Sequence, residues 1–456
     1  MCAIIGIAGT AETTDAGALA VEGLHMLQHR GHEASGIATM DEKGPHAMGG
    51  LGLVATIFNQ DVDVPTELPG RVAIGHNRYS TVGKDERNSH LIQPIAGWYR
   101  GAPFFLAHNG NITNCKELGE LVDEKRRISS VDSELVVRLI EQGGGASFEE
   151  DLVAVLQKLD GGFAFLILYR NEIYAARDPR GNRPLEMGVR DEDGVIVFAS
   201  ETCDFETLGA RWKASVEPGT IIHVKQDGRI ATRSFASAPL RRCIFEEIYF
   251  KAPASQHNET TSEFTLRYGI GIEMERASPV PGADYVVPVR DSGEAFALGF
   301  AWSRKSGIYY PTIFRNHYIG RTFILPSQNE RAVAVGRKHI GSVLDLAGKS
   351  IVLVDDSLVR GTTSSKLIER IRKMGVREVH FRVAMSRIEH VCYYGMDWPT
   401  RDELIAPDKS DEQIAAEIGA DSIAFSELGM LKKAVGGNPN SWCDACVTGN
   451  HWHKAA

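Results

Sequence analysis

The chain has 456 residues, with 50 Lys plus Arg against 59 Asp plus Glu, a formal net charge of −9. Hydrophobic residues make up 43% and charged residues 24%, enough to build sizeable cores and more than one domain. The acidic balance argues against a general nucleic-acid surface. The longest apolar stretches, such as 161-GGFAFLILY-169, are far short of the ~20 residues a membrane span needs.

The N-terminus MCAIIGIAGT has no basic region ahead of its apolar residues. It does not read as a signal peptide, and a cytoplasmic location is expected. Seven cysteines stand at 2, 115, 203, 243, 392, 443 and 446. An odd count without a secretion signal argues against a disulfide framework. Residues 1–235 read as short strands broken by Gly- and Asn-rich turns: AIIGIAG, VAIGHNRYS, FFLAHNGNI, GFAFLILY, EIYAARD, GVIVFAS and GTIIHV. Two helical stretches interrupt them, ALAVEGLHMLQHR and DSELVVRLIEQ, the second with Asp132 or Ser133 placed to cap its first turn. The texture predicts packed sheets covered by helices.

From about residue 260 to 405 the pattern becomes helix, YVVPV, AFALGFAWSRKSG, SIVLVDDS, SSKLIERIRKMG, EVHFRVAM. That is β–α–β–α–β, with strands unalternated enough to be buried in a parallel sheet. The domain boundary is expected near 235–260. Beyond 407 the chain shows two helical stretches, EQIAAEIG and SELGMLKKAVG, and then a C-terminal CxxC.

Cys2 becomes the first residue if the initiator Met is trimmed. A free amine then shares a residue with a thiol, so a general base of usable pKa stands beside a strong nucleophile. Taken alone, Cys2 reads equally well as an ordinary second residue. Its partners are 28-QHRGHEASG-36, 75-GHNRYSTVG-83 and 108-HNGNITN-114. Asn109 and Gly110 offer a side-chain amide and a backbone N–H side by side, the makings of an oxyanion hole. An Arg for a carboxylate and Asp132 for an ammonium complete a description of an amino-acid amide substrate, namely glutamine.

These strings, with 173-IYAARDPRGNRPLEMG-188, resemble the class II glutamine amidotransferase domain, whose fold is a four-layered α+β N-terminal-nucleophile sandwich. The resemblance implies that Cys2 attacks the glutamine amide and releases ammonia, with Asn109 and Gly110 stabilising the oxyanion. It implies that Arg78 and Asp132 hold the α-carboxylate and α-amine, and that Arg30 lines the site. The domain is expected over 2–235.

In 351-IVLVDDSLVRGTTSS-365 a buried strand ends in two carboxylates, followed by a hydroxyl-rich loop and a helix. Backbone N–H groups of such a loop cradle phosphate at the helix N-terminus. Asp355 and Asp356 can receive ribose hydroxyls or a Mg²⁺ ion. The spacing fits neither a P-loop nor GxGxxG. The string resembles the type I phosphoribosyltransferase signature, an α/β fold expected over 260–407. A helical tail over 408–456 is expected to pack at the domain junction.

The whole chain resembles the amidophosphoribosyltransferase family, through 241-RRCIFEEIYF-250, 284-DYVVPVRDSG-293, 315-RNHYIGRTFILPSQ-328, 374-MGVREVHFRVAM-385 and 395-GMDWPTRDELIA-406. This implies transfer of ammonia inside the molecule to C1 of 5-phosphoribosyl 1-diphosphate, in purine biosynthesis. Val359, Arg360, Gly361, Thr362, Thr363 and Ser364 would bind the 5′-phosphate. Arg290, Asp291, Ser292 and Gly293 would form the diphosphate loop. Asp355 and Asp356, with Ser292, would serve ribose and Mg²⁺. Cys243, Cys392, Cys443 and Cys446 match positions that hold a [4Fe–4S] cluster in some members, although spacing alone favours zinc. Cys115 and Cys203 are then expected to be buried apolar residues. A homotetramer or dimer is the family habit.

The second half departs from the family pattern. Arg290 stands where Pro is usual, 335-VGRKHIGSV-343 lacks the usual Asn-Pro, and 385-MSRIEHVC-392 and 250-FKAPAS-255 replace SPP and FARPDS strings. Arg290 could contact phosphate or fill part of the pocket. Two alternatives therefore stay open: a paralogue aminating a different phosphosugar or nucleotide-like acceptor, and a non-catalytic, regulatory nucleotide-binding protein.

Overall fold

The computed structural model describes residues 1–10, 13, 15–79, 92–123, 127–129, 131–304, 308–315, 339–341, 343–396, 398 and 400–453. Most of the 315–328 and 335–343 strings lies outside the described residues. The chain forms two compact units. One comprises Met1–Arg242, Cys392–Asp397 and Trp452–Ala456, the other Cys243–Val391 and Trp398–His451. Among the described residues no helix is long and apolar enough to cross a membrane.

In the first unit, strand Ala3–Ala8 is buried along its whole length because it lies inside a seven-stranded sheet. It pairs antiparallel with Ile196–Ala199 on one side and Val72–Arg78 on the other. A six-stranded sheet runs Ile230–Ser234, Thr220–Val224, Glu172–Arg177, Gly161–Tyr169, Ala102–Ile112, Ile95–Tyr99. Alternation along each strand assigns its two faces. Ile4, Ala38 and Ile74 of the first sheet share a core with Phe105, Ala107 and Leu166 of the second. On the outer faces, Ile5 and Ile7 pack with Leu24 of helix Ala16–Met26. Phe104, Phe165 and Ile167 pack with residues of helices Asp132–Glu141 and Phe148–Leu156. The result is helix, sheet, sheet, helix: the four-layered sandwich.

Some local expectations differ. Neither Asp132 nor Ser133 caps its helix: Val131 holds the N-cap position without a side-chain bond, and Asp132 is the first helical residue. Strand Gly44–Leu51 was not legible because, as an edge strand, it alternates half-buried and exposed positions and carries little apolar signal. Cys115 and Cys203 are partly buried rather than buried.

The second unit holds a parallel five-stranded sheet in the order Ile308–Tyr309, Tyr285–Pro288, Ser350–Asp355, Glu378–Val383, Ser422–Phe425. Ser350–Asp355 is fully buried at its centre, which accounts for its unbroken apolar run. Helices Glu294–Ser303 and Thr362–Lys373 supply the crossovers. The region after 407 is not purely helical. Helices Asp411–Ile418 and Leu428–Val435 flank strand Ser422–Phe425, which extends this same sheet.

Candidate active site

Cys2 immediately precedes the buried strand Ala3–Ala8, whose register sets Ala3 opposite Asn77 and so brings Cys2 level with Arg78. Three contacts fix the residue. Its N–H donates to Asn109 Oδ1 at 3.1 Å, its carbonyl accepts from Arg30 Nε at 3.0 Å, and its Sγ lies 3.7 Å from Tyr79 O. Arg30 is fully buried and also donates to Glu201 Oε1 at 2.5 Å. Its guanidinium therefore supports the backbone of Cys2. Burial works to raise Glu201, but the charges of His29 and Arg30 hold it well below the usual carboxylate range.

Asn109 lies on strand Ala102–Ile112, opposite Ala164, and is 0% exposed. Its Oδ1 is used by Cys2, while its Nδ2 has no hydrogen-bond partner among the described residues. A buried amide donor left unmade costs ~1–3 kcal/mol, and its place beside a thiol suits an acceptor that arrives with substrate. Gly110 follows at φ 147°, and an added Cβ would sit 2.1 Å from Gly162 O, so only glycine fits. Asn111 Nδ2 donates to Tyr393 O at 2.8 Å, and Gly395 comes so close that its added Cβ would meet Gly110 atoms at 3.4–3.6 Å. Asp132 is half-buried, and its Oδ2 accepts from Ile112 N at 3.0 Å, fixing the end of the same strand. Arg78 is also half-buried, at the end of its strand.

Two buried histidines stand on these strands. Burial, with the charges of Arg78 and His108, pushes His76 down to about 3. His108 is also pushed down by burial, against the pull of Asp132. Their bonds go to His108 O and Ser133 respectively, and neither hydrogen-bonds Cys2. The motif around residues 173–188 is a loop staple. Arg177 donates to the carbonyls of Arg183, Val216 and Gly181, and Asp178 accepts backbone N–H groups of Arg180, Asn182 and Arg183.

The second unit places the other predicted residues at the C-terminal end of its sheet, where α/β folds bind ligands. Asp355 and Asp356 are buried. Burial, reinforced by the adjacent Asp356 charge, pushes Asp355 well above the usual carboxylate range. Among the described residues neither carboxylate pairs with Lys or Arg. A buried acidic pair without a cation fits a hard divalent ion. Ser292 Oγ lies 3.5 Å from Asp355 Oδ1. Gly293 closes the 290–293 loop against the central strand, where an added Cβ would meet Val354 O at 2.3 Å. Arg290 pairs with Glu294 at 3.1 Å, and Asp291 is exposed.

Beyond the acidic pair, Val359 O accepts from Ile405 N at 2.9 Å and Arg360 pairs with Glu403. Gly361, at φ 72°, turns the chain into helix Thr362–Lys373, and a Cβ there would strike Ile405 Cδ1 at 2.3 Å. Thr362 and Thr363 are exposed at the helix start and Ser364 is buried. Arg387, one of the departures, makes ion pairs with Glu389 at 3.0 Å and Asp411 at 2.6 Å, a structural clamp. Among the cysteines, Cys243 and Cys443 lie on two paired short strands, Arg242–Cys243 and Trp442–Cys443. Cys446 lies in the helical turn Ala445–Thr448. All three are buried.

Sequence reasoning found the contiguous motifs and missed Glu201, Asn111, Tyr393 and Gly395. Asn111 and Gly395 lie inside quoted strings, but their roles, like those of Glu201 and Tyr393, show only in contacts between segments far apart in the chain.

A family model described as a glutamine amidotransferase domain matches residues 76–207. The chain is 40% identical over 455 residues to amidophosphoribosyltransferase 1, chloroplastic, of Arabidopsis thaliana, covering 99% of this chain and 78% of that one. It is 41% identical over 445 residues to the amidophosphoribosyltransferase of Rhizobium etli, covering 96% and 87%. Against that of Methanocaldococcus jannaschii it is 40% identical over 475 residues, covering 99% and 97%. A solved structure, the glutamine phosphoribosylpyrophosphate amidotransferase of B. subtilis complexed with ADP and GMP, superposes with a TM-score of 0.90 at 34% identity. That match covers 100% of this chain and 98% of the other. With both halves matched end to end, the chain belongs to the amidophosphoribosyltransferase family.

Proposed function

We propose that the chain transfers the amide nitrogen of glutamine to C1 of 5-phosphoribosyl 1-diphosphate, giving 5-phosphoribosylamine, glutamate and diphosphate. The observation that carries the first half-reaction is the divided use of Asn109, whose Oδ1 holds Cys2 while its buried Nδ2 has no partner among the described residues. With Met1 removed, the Cys2 amine takes the thiol proton, directly or through water. His76 and His108 are held neutral by burial and turned to other partners, which leaves that amine as the base. The thiolate attacks the carboxamide carbon. Asn109 Nδ2 and Gly110 N–H receive the oxyanion. The Cys2 ammonium returns its proton to the departing nitrogen as collapse of the intermediate breaks the C–N bond and expels ammonia, and water then releases glutamate from the thioester and restores the thiol. Arg78 holds the α-carboxylate and Asp132 the α-ammonium.

In the second unit, N–H groups at the start of helix Thr362–Lys373 hold the 5′-phosphate, and residues 290–293 hold the diphosphate. Asp355, Asp356 and Ser292 would hold Mg²⁺, which when bound neutralises charge on the leaving diphosphate. Ammonia forms the C1–N bond as the C1–O bond to diphosphate breaks, and the surplus proton passes to solvent.

Cys243, Cys392, Cys443 and Cys446 would hold a [4Fe–4S] cluster, which here supplies structural cross-linking. The match of these four positions to the cluster-bearing members of the family supports a cluster over zinc.

Glutamine labelled at the amide nitrogen tests the whole reading. Label should appear in phosphoribosylamine when phosphoribosyl diphosphate is present, and glutaminase activity should rise with it. Label appearing only in a different phosphosugar would favour the paralogue reading. No release of label at all would sink the Cys2 mechanism.

A further inference from the structure

A second set of metal-type donors stands on the side of Arg30 away from Cys2. His29 Nε2 lies 2.7 Å from Glu201 Oε1, and Cys203 Sγ lies 3.8 Å from Glu201 Oε2. One donor atom from each of the three residues falls within 4.8 Å of the other two. A nitrogen, an oxygen and a sulfur are the donor types zinc takes, and here they stand close enough to be drawn onto one ion. The supporting contacts are also in place. His29 Nδ1 faces Met26 O at 3.3 Å, a carbonyl that fixes the tautomer and aims Nε2 at the site. Arg30 fixes Glu201 from the other side. Glu201 is fully buried, but the His29 side chain is 27% exposed and Cys203 is partly exposed. Two of the three donors can therefore be reached from solvent.

We propose that His29, Glu201 and Cys203 form a site for a single zinc-type divalent ion, and that occupancy restrains the glutaminase half through Arg30. On binding, the thiol proton and the Nε2 proton shared with Glu201 leave to solvent, and metal–sulfur, metal–nitrogen and metal–oxygen bonds form. Glu201 is then shared between the ion and Arg30. The guanidinium that holds the Cys2 carbonyl loses part of its anchor. The binding claim is independent of the Cys2 mechanism, whereas the restraint claim rests on it.

The test is anaerobic titration of the full chain with Co²⁺ in a C2A background, so that the nucleophile cannot contribute. Comparison with C2A/C203S and C2A/H29Q cancels thiols elsewhere, and far-ultraviolet circular dichroism verifies the fold of each variant. The expected result is a thiolate-to-cobalt band saturating at one equivalent. Excess Zn²⁺ should displace it, C203S should abolish it, and H29Q should weaken it at least ~10-fold. A band unchanged by C203S in a folded protein, or none in the parent, overturns the site. With Cys2 restored, Zn²⁺ should inhibit glutaminase at ~10-fold lower concentration in the parent than in C203S. Equal sensitivity overturns the restraint. Absence of glutaminase in both, with the cobalt band intact, would instead count against the Cys2 reading.

Discussion

At the scale of single residues, the first half rests on how few atoms around Cys2 are left over. Its N–H and carbonyl are bound and burial pushes His76 and His108 down, so the Asn109 amide, unsatisfied among the described residues, is the donor proposed to meet substrate. Asn109→Ala is expected to lower glutaminase kcat by ~10²–10³-fold, with a smaller change in KM for glutamine. Steady-state kinetics checks this, and an effect confined to KM would remove Asn109 from oxyanion stabilisation. Cys2, Asn109 and Gly110 were legible because each sits in a short string whose composition already states its chemistry. Glu201 was not, because an acidic residue after a strand has no signature until Arg30 is seen beside it. The half-buried state of Cys203 was likewise hidden, since sequence reports that a thiol is apolar but not which side chains leave it open.

At the scale of elements, burial and local pattern explain what could be read. Ser350–Asp355 is apolar throughout because both its faces are covered, and the acidic pair stands where that cover ends. Ser422–Phe425 escaped notice because four residues between two helices give no period to detect. The start of helix Glu263–Ala277 carries a buried network that no motif announced. His257 Nδ1 lies 2.8 Å from Glu247 and 3.4 Å from Glu263, and Lys251 Nζ lies 2.9 Å and 3.1 Å from the same two carboxylates. Burial works against a charged His257, but Glu247 and Glu263 outweigh it and hold the ring up at about 9. A raised folded pKa gives stability that is complete below the ordinary value of ~6.5 and is lost as pH rises through about 9. Glu263 is itself pushed up to about 7 by burial and the Glu247 charge, so its proton leaves at the lower edge of that window. Denaturant unfolding between pH 7 and 9 should show stability falling by up to ~1.4 kcal/mol per pH unit. His257→Gln should flatten that slope, and an unchanged slope would remove His257 as its cause.

At the scale of the molecule, two units of different architecture carry two chemistries, and the sequence announced both because each family signature is contiguous. What it could not supply was the placing of chain segments that return. Residues 392–397, which begin with the third cysteine of the proposed cluster, belong to the same unit as the sandwich. Cys446→Ser should abolish bound iron and lower the midpoint of thermal unfolding by more than ~5 °C. Calorimetry with iron analysis checks this, and retained iron would discard the four-cysteine assignment.

The contact of Asn111 with Tyr393 spans 282 positions, and Gly395 lies against Gly110. A ribosome delivers the sandwich strands long before it reaches those two residues. Until then the Asn111 amide donates to water, and Gly110 lacks the neighbour that later lies against it. The finished setting of this turn therefore waits on a late stretch of the polypeptide.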